Sequence, residues 1–260
     1  DYDANKNELI NNLSELVKQI FRPENFMVDV TATEEGFDII KKLIPKFKTG
    51  LFAESVEKSQ FKIGTNKLNE GFSTSAQIQY VCRAGNFKKD KGLEYTGAFR
   101  VLKVIMGYDY LWQNVRVKGG AYGCMCNFTK TGDCYFVSYR DPNLKKTVDV
   151  FENAGEYIRS FAADEKTMTK YIIGAISDLD VPMTPATKGS RSLGAYLSNV
   201  DFEDIQKERD ELLGCTQEDI RKLADHIDAV MAQDIICVVG NGQAIEENRD
   251  LFISTENLFH

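Results

Sequence analysis

Apolar residues recur every three to four positions in several segments of the chain, which is the spacing of one helix face. Residues 8–21 form such a segment, and it ends at Arg22–Pro23. Residues 26–32 read as a strand, and Thr33 reads as the N-cap of a second helix whose apolar face extends to Phe47. The order predicted for this part of the chain is therefore helix, strand, helix.

The same order recurs near the other end of the sequence. Thr216 and Asp219 form a capping box, a helix face follows, and residues 235–240 read as a strand before a last helix. The first helices of the two segments coincide at an offset of 210 positions, with identities at Glu8/Glu218, Ile10/Ile220 and Leu13/Leu223. A fixed offset indicates duplicated units. We therefore expect residues 1–58 to be the helix–strand–helix tail of a preceding repeat unit and residues 59–260 to be a complete unit.

The middle of the chain combines strands with long helical segments. Residues 75–83 alternate as a strand, residues 93–117 have helical spacing, and residues 121–140 read as a hairpin that turns at 130–133. Because strand and helix do not alternate strictly, we expect the α+β class. Its sheet would be antiparallel or mixed, with helices packed on one face.

Helical patterns dominate the segment after the hairpin. A helix of roughly twenty residues is predicted after Asp141–Pro142–Asn143, and another near Asp164. The prolines and glycine in residues 182–189 indicate a loop before polar helices at 190–213.

Composition limits the possible partners. The 260 residues include 32 basic and 39 acidic side chains, so the formal charge is −7, and no basic block or basic stripe with interleaved aromatics occurs. Nucleic acid is therefore not an expected partner. No apolar stretch approaches the roughly 20 residues that span a bilayer, so a membrane is not expected either. The sequence starts at Asp1 without Met, so a targeting segment of a longer parent would not be visible.

Six cysteines lie within apolar strand or helix segments, a placement typical of free buried thiols in a reducing compartment. Cys124 and Cys126 have C-x-C spacing, which lacks the second ligand pair of a zinc knuckle. A redox pair between Cys134 and one of these two, across the hairpin, stays open.

The candidate chemistry lies where the helix at 93–117 meets the hairpin. Arg116 is near the helix end, Gly119 and Gly120 free the backbone to turn, and Tyr122 begins the next strand. A guanidinium and a phenol are donors with rigid heads, suited to holding a carbonyl oxygen. No acid, base or nucleophile stands beside them, so they make half of an active site at most.

Each of these residues also has a purely structural interpretation. A helix-end arginine can interact with the helix dipole, and a strand tyrosine can be a core aromatic. The glycine run is a poor phosphate cradle because it follows a helix and leads to a strand. Arg140 and Asp141 are expected to form a local ion pair or a helix cap. His226 is expected to be a semi-buried packing residue.

Several motifs occur together in one order, covering about residues 66–239: NEGF at 69–72, STSAQIQYV at 73–81, YDYLWQNVRVKGGAYG at 108–123, SYRDPN at 138–143 and MTKYIIGAISDLDVPMTP at 168–185. This pattern resembles the presequence-protease branch of the pitrilysin and insulin-degrading zinc metallopeptidases. The resemblance implies four similar α+β units with ferredoxin-like halves, arranged as two bowls around a peptide, with zinc on H-x-x-E-H in the first half. This chain has only His226 and His260, so it resembles the final unit.

The resemblance further implies the C-terminal portion of a zinc-dependent oligopeptidase that degrades unstructured peptides in a closed chamber. Zinc-bound water in the absent N-terminal half would attack the peptide carbonyl. Arg116 and Tyr122 would donate hydrogen bonds to its oxygen, and Gly119 and Gly120 would bind substrate. Zinc is thus expected in the full-length enzyme and not on this chain, which alone should be inactive.

The implied partners are peptide substrates and the N-terminal half of the same polypeptide. The implied compartment is the cytoplasm of a bacterium or the organellar matrix of a eukaryote. The competing interpretation is a non-catalytic structural or partner subunit of the same superfamily.

Overall fold

The structure is a computed structural model that describes residues 2–54, 64 and 66–258, without the side chain of Asp90. Its α-helices are α1 Tyr2–Ile20, α2 Glu34–Lys48, α3 Phe87–Lys91, α4 Ala98–Ile105, α5 Lys145–Glu152, α6 Ala154–Arg159, α7 Glu165–Leu179, α8 Pro185–Leu197, α9 Phe202–Leu213, α10 Gln217–Lys222, α11 Ala224–Met231 and α12 Gly242–Glu247. Its strands are β1 Glu70–Thr74, β2 Gln79–Asn86, β3 Gly123–Phe128, β4 Asp133–Asp141, β5 Ile235–Asn241 and β6 Ser254–Asn257. Among these residues, no helix is both long and apolar enough to cross a membrane.

The chain divides into two compact units. The first comprises Asp1–Gly64 with Pro182–Asp201, and the second comprises Thr65–Val181 with Phe202–His260. The predicted domain boundary at 58/59 lies outside the described residues, as does His260. The assignment of residues 1–58 to a preceding repeat unit therefore stays a prediction.

The first unit contains α1, α2 and α8, none of which buries a residue. Thr33 caps α2 as predicted, accepting a hydrogen bond from the Gly36 N–H at 3.3 Å. The strand predicted at 26–32 is wrong: this segment joins no ladder, and Met27 and Val28 are exposed. A strand needs a hydrogen-bonding neighbour, and no described segment supplies one. At the 210-residue offset, α1 coincides with the helical segment of α10 and α11, whereas the strand at 235–240 has no counterpart at 26–32 and the end of α2 coincides with β6.

The second unit is built on one mixed sheet of order β3-β4-β2-β5-β1-β6. β1 pairs in parallel with β5 and β6, whereas β2, β4 and β3 pair antiparallel. One face is buried under helices, and its core includes Val81, Phe99, Leu102, Phe136, Ile227 and Val238. The other face exposes Tyr80, Met125, Tyr135 and Ile235. The predicted α+β class, with a mixed sheet and helices on one face, is confirmed.

Three sequence-based assignments need correction. The strand predicted at 75–83 begins at Gln79, and β1 and β6 were not predicted. The predicted loop at 182–189 is partly helix, because Thr184 accepts a hydrogen bond from the Thr187 N–H and Pro185 occupies the first turn of α8.

The capping box of Thr216 and Asp219 is confirmed.

Candidate functional site

Arg116 lies in a widened continuation of α4. The helix continues as π-helical turns over Met106–Tyr110 and Trp112–Val117, and the Lys118 N–H donates to the Gln113 carbonyl at 3.0 Å. Trp112 precedes Arg116 by four positions, so the two side chains lie on neighbouring turns. The Arg116 Cζ stands 3.9 Å from the centroid of the Trp112 ring, a cation–π distance. The ring thus restrains the guanidinium from one side.

The turn after this helix requires glycine at two positions. Gly120 has a φ of +83°, and its N–H donates to the Arg116 carbonyl at 2.8 Å. The Ala121 N–H reaches back to the Val115 carbonyl at 3.2 Å. A Cβ on Gly119 would stand 2.3 Å from that same Val115 oxygen, far inside van der Waals contact. These glycines therefore close the helix end; that Gly119 and Gly120 also bind substrate stays a prediction.

Tyr122 is not a core aromatic. Tyr122 is 61% exposed, and it precedes β3 by one position instead of beginning the strand. Its N–H donates to the Arg140 carbonyl at 3.2 Å, which ties it to β4. The Tyr139 ring meets the Tyr122 ring edge to face at 5.6 Å, and the Arg140 Cζ lies 5.4 Å from the Tyr122 centroid. Tyr122 is thus held by its backbone hydrogen bond and by the Tyr139 and Arg140 side chains, while most of the residue is exposed to solvent.

The predicted ion pair between Arg140 and Asp141 is wrong. Asp141 is fully buried, and its carboxylate accepts hydrogen bonds from the Asn143 N–H at 2.9 Å and the Thr147 hydroxyl at 2.7 Å. The Asn143 side chain also donates to the Gly119 carbonyl at 2.6 Å. Asp141 therefore fastens the start of α5 to the glycine turn, which is closer to the alternative capping role. A buried carboxylate in this network is a structural anchor.

Among the described residues, no carboxylate forms an ion pair with Arg116 or Arg140. Burial raises the pKa of the Cys124 thiol to about 11, and the positive charge of Arg116 works in the opposite direction. The charge of Arg116 therefore reaches Cys124 in β3, the strand that begins next to Tyr122.

The cysteines are free, as expected, but Cys237 is exposed. Cys134 lies opposite Phe128 in the hairpin register, not opposite Cys124 or Cys126.

Within the described part of the chain, no group of three or more His, Cys, Asp or Glu side chains could hold a metal ion. His226 is half-buried and meets the rings of Phe87 and Phe99 edge to face, each at 5.2 Å. Its Nε2 is 3.1 Å from the Glu94 carbonyl, and burial lowers its pKa below the usual value. The packing role predicted for His226 is confirmed. The described residues of this chain do not fit a zinc site.

Arg116 and Tyr122 stay predicted site residues, and the sequence interpretation gave no site role to Trp112 and Arg140, which lie beside them. The structure gives each predicted residue its own aromatic or cationic neighbour at one end of the glycine turn. Trp112 had a local signal in the sequence, whereas the place of Arg140 depends on the register of the hairpin. Trp112 lies four positions before Arg116 on a helix, and Arg140 stands across the hairpin from Tyr122.

Comparison with known proteins identifies the family. The family model described as PreP C-terminal domain matches residues 69–241. The chain is 40% identical over 247 residues to Protein HypA of Clostridium perfringens, covering 95% of this chain and 25% of that protein. It is 33% identical over 236 residues to Presequence protease 1, chloroplastic/mitochondrial, of Arabidopsis thaliana, covering 90% of this chain and 22% of that protein. The chain thus spans about a quarter of the length of these curated relatives.

Solved structures agree in fold. Pitrilysin superposes with a TM-score of 0.54 at 14% identity, covering 82% of this chain and 24% of that chain. A peptidase M16 inactive domain from Pseudomonas fluorescens superposes with a TM-score of 0.53 at 15% identity, covering 79% and 51%. At such identities the likeness shows the fold alone. The family-model match and the sequence relatives together carry the assignment: the chain belongs to the presequence protease family, in which it corresponds to the C-terminal domain.

Proposed function

We propose that this chain is the C-terminal portion of a zinc-dependent oligopeptidase that degrades unstructured peptides in a closed chamber. Arg116 and Tyr122 would bind the peptide and stabilise the oxygen that gains charge during cleavage. Zinc would be held by the N-terminal half of the longer polypeptide. The observation that carries the proposal is a pair of donors at one glycine turn, each beside an aromatic or cationic neighbour, with no described carboxylate paired to Arg116.

The chemistry of the two side chains fits this role. A phenol hydroxyl and a guanidinium can donate hydrogen bonds without taking up or releasing a proton. Donors fixed before the reaction stabilise a developing oxyanion more effectively than mobile ones, because no reorganisation is needed. The turn hydrogen bonds of Gly120 and Ala121 and the anchor at Asp141 provide that fixation.

The test uses the full-length polypeptide with two variants. Removing one donor to an oxyanion typically costs about 10²–10³ in kcat. Tyr122→Phe should therefore lower kcat by at least roughly tenfold, with little change in melting temperature, and Arg116→Ala should lower kcat/KM similarly. Zinc content should stay the same. Tyr196→Phe, at a tyrosine that is 72% exposed outside the hairpin, is the matched control and should leave turnover unchanged.

A near-normal kcat for Tyr122→Phe would refute the catalytic role of the phenol.

The isolated 260-residue chain provides a second check. We expect it to contain no stoichiometric zinc and to cleave no peptide, and chelator-sensitive cleavage by this chain alone would contradict the proposal.

A non-catalytic structural or partner subunit is the second candidate. The fold also occurs in a solved domain that is described as an inactive peptidase domain, so the fold alone does not require catalysis. If both variants lose activity only in step with lost thermal stability, the pair is structural and this candidate gains.

Peptide substrates and the N-terminal half of the same polypeptide are the proposed partners. The proposed compartment is the bacterial cytoplasm or, in a eukaryote, the organellar matrix, since the Arabidopsis relative is described as chloroplastic/mitochondrial.

A further inference from the structure

Arg140 has a feature that the proposed oxyanion chemistry does not use. Its guanidinium lies beside the Tyr122 ring, it is exposed, and no carboxylate among the described residues pairs with it. The other arginines that the structure describes, except Arg116, each donate to an acceptor. Even Arg191 and Arg249, which also lack a carboxylate partner, donate to the Met183 sulfur and the Phe252 carbonyl. Among the arginines that the structure describes, the guanidinium groups without a hydrogen-bond or ion-pair acceptor are thus those of Arg116 and Arg140, at the two ends of the glycine turn.

The backbone at Arg140 is held in an uncommon conformation. Its φ is +49°, a left-handed value that costs a non-glycine residue about 1 kcal/mol or more. The conformation is maintained from both sides, because the Arg140 carbonyl accepts from the Tyr122 N–H and the next residue, Asp141, is buried in its own hydrogen bonds. The position of Arg140 relative to Tyr122 is therefore fixed by the hairpin and not by its own side chain.

The acidic composition of the chain makes the lack of a described acidic partner at Arg140 informative. The chain carries 39 acidic residues against 32 basic ones, so acidic side chains are abundant, yet no acidic residue that the structure describes pairs with Arg116 or Arg140. An arginine that rests on an aromatic ring keeps the edge of its planar guanidinium open, and that edge matches a carboxylate with two parallel hydrogen bonds. A bound peptide could supply the missing anion.

We propose that Arg140 is a specificity-determining residue that binds an Asp or Glu side chain of the substrate peptide. This inference rests on the proposed function, because Tyr122 must hold the peptide backbone nearby. The Arg140 Cζ is 5.4 Å from the Tyr122 ring centroid. An extended peptide advances about 3.3 Å per residue, so the acidic side chain lies within about two residues of the carbonyl that Tyr122 holds.

The test compares peptides in which one position at a time near the cleaved bond is either Glu or Gln. The kcat/KM ratio of each pair is measured for the full-length polypeptide, for Arg140→Gln and for Arg140→Lys. The matched control is Arg209→Gln, because Arg209 is an arginine already paired with Asp180, with one nitrogen–oxygen distance of 2.9 Å. Melting temperatures of all variants are measured alongside.

At one position within two residues of the cleaved bond, the Glu peptide should be preferred by up to roughly fivefold at low salt, the upper end of the range for an exposed arginine–carboxylate pair. Arg140→Gln should bring that ratio to about one, Arg140→Lys should retain part of it, and Arg209→Gln should retain all of it. The preference should also decrease as salt is added.

Equal cleavage of Glu and Gln peptides at every position by the unaltered enzyme would overturn the inference. So would a preference that survives Arg140→Gln. Failure of the proposed function has a different signature, because Tyr122→Phe would then leave kcat unchanged on both peptides of a pair, whatever their ratio.

Discussion

Replacing Gly119 with alanine should destabilise the helix end that carries Arg116. An added Cβ would stand 2.3 Å from the Val115 carbonyl oxygen and 3.0 Å from its carbon. Both atoms belong to the backbone, so no side-chain rotation can relieve the overlap. The turn itself must move away from the last helical residues.

The expected loss is about 2–4 kcal/mol of unfolding free energy. Overpacking in a tight site costs about 1–3 kcal/mol. The displacement also weakens the hydrogen bonds from the Gly120 N–H at 2.8 Å and the Ala121 N–H at 3.2 Å. Each such bond contributes about 0.5–1.5 kcal/mol, and a partial loss of both adds about 1 kcal/mol.

Urea unfolding followed by tryptophan fluorescence measures this loss locally. Trp112 is the one tryptophan in the sequence, and it contacts Arg116 within the second unit. The control is Gly107→Ala, in the same helical segment, where an added Cβ meets nothing within 4 Å. Alanine there should leave stability unchanged or raise it by up to about 1 kcal/mol, because glycine is a poor helix former.

The reasoning is refuted if the unfolding free energy of Gly119→Ala lies within about 0.5 kcal/mol of that of the unaltered chain, the range of an ordinary surface substitution. The dependence of the unfolding free energy on urea concentration must also be unchanged, since a changed slope would indicate an altered unfolded or native state.

Three further outcomes are expected. Iodoacetamide should modify the exposed Cys237 first and the buried Cys126 and Cys134 last, because burial raises the pKa of Cys126 to about 12 and that of Cys134 well above its usual value; peptide mapping by mass spectrometry checks the order. Thr216→Ala should lose about 0.5–2 kcal/mol in urea unfolding, because its hydroxyl and Asp219 cap α10 in both directions. Burial works to raise the pKa of Glu208, yet hydrogen bonds from Lys130 and Arg100 hold that pKa below the usual value. The stability from this carboxylate is therefore present above about pH 4.3 and lost as the pH falls through the lowered pKa. Glu208→Gln should show less of that acid-induced loss when unfolding is measured as a function of pH.

Local signals in the sequence predicted the helices well. Thr33 and Thr216 identify helix starts because a side-chain oxygen satisfies backbone N–H groups wherever the helix packs. The hairpin of β3 and β4 was equally visible, since alternation and a glycine-containing turn are both local.

Strand pairing over long distances was not predictable in the same way. β1 contains a single large apolar residue, Phe72, and β6 contains none, so neither has a strand pattern of its own. Each becomes a strand because partners are beside it in space. The opposite error occurred at 26–32, where an apolar pattern has no partner among the described residues.

The site was half predictable for a related reason. Arg116, Gly119, Gly120 and Tyr122 stand close together in sequence, so their motif could be read directly. Arg140 comes from the far strand of the hairpin, and its φ of +49° has no sequence signal, because arginine rarely adopts it. Its place beside Tyr122 follows from register and turn geometry together.

The strand order of the sheet also sets the order in which this chain can fold during synthesis. β2, β3 and β4 can pair with one another as soon as residue 141 has emerged, whereas β1 pairs only with β5 and β6. β1 must therefore wait for more than 160 further residues, as its partner in β5 begins at Ile235. Closing so long a loop is slow, and until then the edges of β1 and β2 stay open. We expect a ribosome-bound chain that stops before β5 to recruit chaperones far more strongly than the finished one.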